Sequence, residues 1–345
     1  MERRYNGGAD SAIISHMDFA PAWFLRNRHC QTLWGKIARR LPPAPTRLER
    51  WDTPDGDFIE LYRLDGERNA PRLVMLHGLE GTIRSHYAQG LLHEANRRGW
   101  AADLLIFRSC GGEMNRARRF YHSGETTDIS FVIDRLLATE PDRELIVSGV
   151  SLGGNVLLKY LGEKGDAAPA QLKAAAAISV PFDLARSSLQ IQKGFARLYQ
   201  WHFMRSLRRK AVMKLAQFPD IVPAEALAGA RTMYDFDHVI TAPLHGFASA
   251  DDYYTRSSSL GWLHGIRRPT MLLSATDDPF LPPDVFDQVR RIAAHNAWLA
   301  LEFHPHGGHA GFIGAEGSRL KYFAEKRACD FLASHVNPDF QERIA

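Results

Sequence analysis

The sequence predicts an α/β protein, with a mostly parallel central sheet flanked by helices and a helical insertion set into its second half. Three observations predict it. Apolar runs of strand length alternate with segments of helical spacing, the pattern of βαβ units. The alternation stops once, over residues 181–266, where no convincing strand occurs, and then resumes. Short turns rich in Gly, His and Asp follow several of the apolar runs, at the strand ends where ligands bind in open parallel sheets.

In order, residues 1–50 read as an irregular arm with one helical piece, broken off by Leu41-Pro42-Pro43-Ala44-Pro45 and packing on the core. The core then occupies 51–180 and 267–345. Phe58–Arg63 alternates like a half-buried strand, and Arg72–Leu76 is an apolar run stopped by His77-Gly78. Ile83–Arg98 has helical spacing and ends at Gly99. Ala101–Phe107 reads as strand, Glu125–Ala138 as helix and Glu144–Val150 as strand. Leu152–Leu161 reads as helix ending at Gly162, and Leu172–Val180 as strand. Within the insertion, 181–266, the main helical candidates are Leu189–Lys214 and Pro223–Val239. By position it is a helical cap over the carboxyl ends of the strands. Beyond it come strand Thr270–Ala275, helix Pro283–His295, strand Leu299–Pro305 and helix Leu320–His335.

Composition narrows the class. With 345 residues, 45% hydrophobic and 24% charged, the chain can bury a large core without staples and is not disordered. A formal charge of +4 does not by itself point to nucleic acid. Cys30, Cys110 and Cys329 lie far apart with no metal-ligand spacing, as expected of reduced thiols in the cytoplasm. The first residues, MERRYNGGADSAII, lack the apolar run of a signal peptide, and nowhere is there an apolar stretch of about 18 residues to span a membrane.

The chemistry concentrates at four strand ends. Gly149-Val150-Ser151-Leu152-Gly153-Gly154 follows the apolar run LIVSGV and opens a helix, the strand–turn–helix context that gives G-x-S-x-G its meaning. A serine on so sharp a turn needs neighbours without side chains, supplied by Gly149 and Gly153, while Gly154 lets the helix approach the sheet. The helix start then aims free N–H groups at the reacting centre. A bare Gly-rich turn and a dinucleotide loop are the competing readings, but the second has serine where its middle glycine belongs.

His77-Gly78-Leu79 follows the earlier run RLVML, where α/β-hydrolases place one oxyanion donor. The expected donors are the Leu79 and Leu152 backbone N–H groups, with His77 as scaffold rather than acid–base catalyst. A serine nucleophile also needs a base held by a carboxylate, in the order Ser, Asp or Glu, His. Asp277-Asp278-Pro279 ends one later strand and His306-Gly307-Gly308-His309 the next. From the residues alone, Asp278 before proline is the better acid, with its exchange for Asp277 left open. His309 between small residues is the better base, with His304 a strand residue and His306 a turn residue. A zinc site on the three histidines is a weaker alternative.

These motifs, together with Pro21-Ala22-Trp23-Phe24-Leu25-Arg26-Asn27-Arg28-His29-Cys30-Gln31-Thr32-Leu33, HGLEG at 77–81, Phe107-Arg108-Ser109-Cys110-Gly111-Gly112, Tyr121–Thr126, GVSLGGN at 149–155, DDYY at 251–254, DDPF at 277–280 and HGGHAGF at 306–312, carry a resemblance that extends over nearly the whole chain. Together they resemble the YheT-like α/β-hydrolases, which also include eukaryotic AB-hydrolase-domain lipases and yeast medium-chain ethyl-ester enzymes. The resemblance implies the α/β-hydrolase fold, a catalytic set of Ser151, Asp278 and His309, and short- to medium-chain acyl esters or lipids as substrates. RSCGG departs from the more usual RGCSG at a loop that holds no catalytic position.

The expectation is therefore a serine carboxylic-ester hydrolase needing no metal or organic cofactor and no nucleic-acid partner. An alcohol acyltransferase on the same three residues, or a binding protein that kept the fold, are the alternatives. Arg108 and Asn115–Arg119 read as structural ion pairs in preference to an anion site. Lys193–Lys214 mixes Arg205, Arg208, Arg209 and Lys210 with Phe195, Leu198, Tyr199, Trp201, Phe203 and Met204. That pattern suits a peripheral contact with an anionic membrane, and it suits a cap helix facing the core, the reading preferred here.

Overall fold

The computed structural model describes residues 19–337; the stretch read above for a signal peptide and the two chain ends therefore lie outside the described residues. After a 3-10 turn at Trp23–Leu25, α1 (Arg28–Ile37) is capped by Asn27, whose side chain accepts from His29 N–H at 2.8 Å. Then follow β1 (Arg47–Asp52), β2 (Phe58–Leu64), β3 (Arg72–Leu76), α2 (His86–Arg97), β4 (Ala101–Ile106), α3 (Thr127–Thr139), β5 (Leu145–Val150), α4 (Leu152–Lys164) and β6 (Leu172–Ile178). The insertion contributes α5 (Leu184–Gln190), α6 (Ala196–Gln217), α7 (Ala224–Gly229), α8 (Met233–Phe236), a π-helical turn at Asp237–Thr241, α9 (Ala242–His245), α10 (Ala250–Ser257) and a 3-10 stretch at Ser259–Gly265. The core closes with β7 (Thr270–Ala275), α11 (Val285–Ala293), β8 (Leu299–His304), β9 (Ile313–Glu316), β10 (Arg319–Tyr322) and α12 (Phe323–Ala333).

Eight strands form the main sheet in the order β1-β2-β4-β3-β5-β6-β7-β8. β3 to β8 run parallel, and β1 and β2 add an antiparallel edge. Every residue of β3, β4, β5 and β7 is buried, which is why these strands read as continuous apolar runs rather than alternating ones. β6 carries four successive alanines, Ala174–Ala177, all fully buried, so helices can lie close against the middle of the sheet.

The strand order places the site. From β3 the chain crosses through α2 to β4 on one side, and from β5 it crosses through α4 to β6 on the other. Right-handed crossovers in opposite directions put α2 and α4 on opposite faces and leave a crevice between the carboxyl ends of β3 and β5. The loops holding Leu79 and Ser151 open into that crevice.

Some elements differ from the sequence expectation. β1 begins at Arg47, inside the stretch assigned to the arm; only Trp51 of its six residues is buried, so this charged edge strand shows no alternation. Arg319–Tyr322 pairs with Ile313–Glu316 as a hairpin, and the last helix starts at Phe323 rather than Leu320. α4 runs through Gly162 to Lys164, and Gly162 serves close packing rather than a cap, since a side chain there would collide with the Trp262 carbonyl. The second expected helix of the insertion is broken into short pieces, α8 starting afresh at a capping box of Thr232 and Asp235.

Arg108 is almost fully buried, and its guanidinium meets Asp57 at 2.8 Å, Asp128 at 2.7 Å and Asp55 at 2.9 Å. It is a structural ion cluster tying the loop after β4 to the loop before β2 and to α3. Removing one partner from a buried charge cluster leaves uncompensated carboxylates and costs about 3–5 kcal/mol. Arg108→Ala should therefore lower the urea midpoint by that order of stability. An unchanged midpoint would show that the cluster is not structural.

Candidate active site

Ser151 stands between β5 and α4 at φ +56° and ψ −121°, backbone space that a non-glycine residue occupies only at a cost of about 1–3 kcal/mol. The surroundings enforce it. The Ser151 N–H donates to the Ile178 carbonyl at 2.8 Å. A side chain at Gly149 would collide with the Gly153 carbonyl, and one at Gly153 would stand 2.5 Å from the His77 carbonyl. The glycine spacing seen in the sequence is thus a steric requirement of the turn.

The structure brings together three side chains from three strand ends. His309 Nε2 lies 2.9 Å from Ser151 Oγ, and His309 Nδ1 lies 2.8 Å from Asp278 Oδ2. Asp278 is buried, and its other oxygen accepts the Phe280 N–H at 2.8 Å. The Phe280 ring covers His309 at a centroid distance of 4.1 Å. Asp277 instead braces the loop, its Oδ1 accepting the Gly308 N–H at 2.9 Å while its Oδ2 faces His306 at 3.5 Å. The geometry thereby separates the two aspartates that the residues alone left exchangeable.

Three successive amides fix the histidine loop. Gly308 N–H is held by Asp277, His309 N–H by Thr32 Oγ1 at 2.9 Å, and Ala310 N–H by Ser179 Oγ at 3.0 Å. Thr32 belongs to α1. Next to it, buried Gln31 bridges the Leu25 carbonyl and both the N–H and the carbonyl of Ile313. The N-terminal arm is therefore a strap across the histidine loop. Sequence reasoning missed this role, although two amide- and hydroxyl-bearing residues on the inner side of a short helix were the available signal. His304 ends β8 among the rings of Phe19, Phe312 and Phe323, while His306 is exposed in the turn, so the three histidines point to separate surroundings.

At the end of β3, the N–H groups flanking Leu79 are occupied: Gly78 donates to Tyr87 Oη at 2.9 Å and Glu80 to Tyr121 Oη at 3.0 Å. No acceptor is found for the Leu79 N–H among the described residues. Leu152 is the first residue of α4, so its N–H has no acceptor within the helix. Glu80, at φ +55°, is pinned by Lys210 at 2.7 Å, Tyr121 at 2.7 Å and Ser206. Burial raises its carboxyl pKa, but the Lys210 charge and these hydrogen bonds outweigh it, and the net value lies below the usual one. His77 is fully buried, and burial pulls its pKa down to about 4. Neutral at pH 7, it donates from Nδ1 to the Gly78 carbonyl at 2.7 Å and accepts the Phe107 N–H on Nε2 at 3.1 Å, a scaffold role.

Ser151 and His309 open into a pocket of about 920 Å³, part of it open to solvent. Leu79, Leu184, Ile191, Phe203, Leu207 and Met233 give it a mainly apolar wall, much of it from the insertion. Asn155, one turn after Ser151, holds the insertion's return: it donates to the Ser123 and Ser257 carbonyls and accepts the Ser259 N–H at 2.9 Å. One polar patch interrupts the wall. Asp237, in the π-helical turn, accepts from Thr241 at 2.6 Å and from Tyr254 at 2.7 Å. The basic stretch of α6 divides in two. Lys210 and Lys214 are buried, the second donating to the Asn115 and Ala117 carbonyls at 2.9 and 2.8 Å, while Arg205 and Arg209 stay exposed.

Comparison with known proteins agrees with this architecture. The sequence profile of the alpha/beta hydrolase fold matches residues 71–316. The Escherichia coli protein YheT, whose name gives an esterase, is 37% identical over 93% of this chain and 95% of its own length. Phospholipase ABHD3 of Mus musculus is 28% identical over 87% of this chain and 74% of its own. Among solved structures, the Pyrococcus furiosus esterase Pf2001 superposes with a TM-score of 0.58 at 16% identity, covering 87% of this chain and 98% of that one, a likeness of fold.

Burial raises the pKa of Asp237 from 3.8 to about 6. The folded protein therefore holds this proton more tightly than the unfolded chain, and its stability falls as pH rises from about 4 through 6, by up to about 3 kcal/mol. Asp237→Asn removes that fall. The unfolding free energy of the variant relative to wild type should rise across this interval in urea titrations, and a pH-independent difference would contradict the assignment.

Proposed function

The chain belongs to the α/β-hydrolase family and to its YheT-like branch, and from that premise we propose that it is a serine carboxylic-ester hydrolase working through an acyl-Ser151 intermediate. The observation that carries this reading is the continuous hydrogen-bonded relay from Ser151 through His309 to Asp278, at 2.9 and 2.8 Å.

In this mechanism the ester carbonyl lies against Ser151 with its oxygen between the Leu79 and Leu152 amides. Ser151 Oγ attacks the carbonyl carbon as His309 Nε2 takes its proton. Asp278 keeps the Nδ1 proton facing it, which fixes the tautomer and stabilises the imidazolium. The two amides stabilise the oxyanion of the tetrahedral intermediate, and His309 returns the proton to the departing alcohol. Water, deprotonated by the same imidazole, then attacks the acyl-serine, and the acid leaves as Ser151 regains its proton. Each step moves one proton through one nitrogen, so the chain's own groups suffice for the acyl transfer.

The apolar wall of the pocket supports an acyl chain of short to medium length, or a lipid, as the substrate class. The esterase and phospholipase names of the relatives point the same way. Cytoplasmic residence belongs to the same reading: Cys30, Cys110 and Cys329 are free thiols, and no helix among the described residues is long and apolar enough to cross a membrane.

A series of nitrophenyl esters from acetate upward tests the proposal. Wild type should hydrolyse them with a maximum at short or medium chains. Ser151→Ala should lose about 10⁶-fold in kcat and Asp278→Asn about 10⁴-fold, by the behaviour of such relays elsewhere. Equal rates for wild type and Ser151→Ala would overturn it.

A further inference from the structure

Residues 19–48 and 184–219 contain no Asp or Glu at all, although the chain has 39 acidic residues. The two acid-free segments are neighbours in the fold. Side chains of α1 and α6 meet at two places, two turns apart along α1. At one end the His29 ring meets Phe195 at 4.6 Å and His29 Nδ1 lies 3.2 Å from Tyr199 Oη; at the other, Lys36 Nζ meets His202 Nε2 at 2.7 Å.

Their outer sides form one surface. On α6, Leu198, Trp201 and Arg205 fall at i, i+3 and i+7, a single stripe, while Tyr199, Leu207 and Ala211 face inward. Leu198 is 53% exposed and Trp201 60%, and Ile37 at the end of α1 is 62% exposed. Large apolar side chains left in water beside exposed Arg205, Arg209 and Lys36, with no carboxylate among them, are the composition of a helix that lies in a lipid interface. Tryptophan is the residue that settles at headgroup level.

We propose that the outer face of α1 and α6 docks the protein on an anionic lipid surface. Charge complementarity selects this occupant: a bilayer supplies the anionic plane that the arginines and Lys36 lack on the protein, and an apolar layer beneath it for Trp201, Leu198 and Ile37. The inner face of the same helix carries Phe203 and Leu207 in the wall of the Ser151 pocket. Docking thus lays the roof of that pocket on the interface, where acyl esters reside. The binding step itself does not depend on ester hydrolysis.

Cosedimentation of the full chain with vesicles tests it. Vesicles of phosphatidylcholine and phosphatidylglycerol, two to one, should bind the protein at low salt and release it at high salt, and pure phosphatidylcholine should bind it far less. Two variants, Arg205→Glu with Arg209→Glu, and Leu198→Ser with Trp201→Ser, should each weaken binding about tenfold or more. Both should keep wild-type hydrolysis of a soluble nitrophenyl ester, which shows that they fold and separates this result from the fate of the esterase proposal. Equal binding to both vesicle types, or full binding by either folded variant, would overturn the proposal. So would a dimer in analytical ultracentrifugation that either variant dissociates, since a second copy would then cover this face.

Discussion

One imidazole has to satisfy two partners at once. His309 must present Nε2 to Ser151 and Nδ1 to Asp278, and the three side chains come from loops after β8, β5 and β7. A shift of one ångström in any of these loops would break a contact, because a hydrogen bond of 2.8–2.9 Å has little slack. Much of the surrounding structure serves that single placement. Asp277, Thr32 and Ser179 hold three consecutive amides of the histidine loop, and the backbone strain at Ser151 is confined by glycines on either side.

The topology explains why these supports come from so far apart. The crevice forms where crossovers leave β3 and β5 in opposite directions, and the sheet's parallel strands deliver their loops to one edge. The histidine loop lies toward the other end of that edge, beyond β7. An arm from the chain's beginning and a carboxylate from the neighbouring strand end hold it there. The two sides of α1 then act differently, with Gln31 and Thr32 gripping the core and Ile37 and Lys36 facing outward beside α6.

Most of the fold was legible because parallel strands buried on both faces leave apolar runs too long to be turns and too short to be helices. Ser151, His309 and the Asp277-Asp278 pair could be singled out as candidates for a related reason, since each follows such a run and carries a turn chemistry of its own. Four features were not legible. β1 is an edge strand whose exposed charges hide its period, and the hairpin of β9 and β10 has only four residues a side. The division of labour between Asp277 and Asp278 depends on which carboxylate meets which nitrogen, a fact of three-dimensional distance. The fate of the basic residues on α6 depends on helix phase against a partner surface, which buried Lys210 and Lys214 and left Arg205 and Arg209 in water.

The pocket joins these levels. Its wall is apolar where the insertion meets the sheet, its floor carries the strained serine, and its roof is a helix whose far side is basic and aromatic. The central claim is that the Ser151 hydroxyl is made reactive by the imidazole beside it. Labelling folded protein with a fluorophosphonate and mapping the adduct by mass spectrometry measures this directly. The account predicts modification at Ser151, fast in wild type and nearly lost in His309→Ala. No adduct at Ser151, or labelling that ignores the loss of His309, would contradict it.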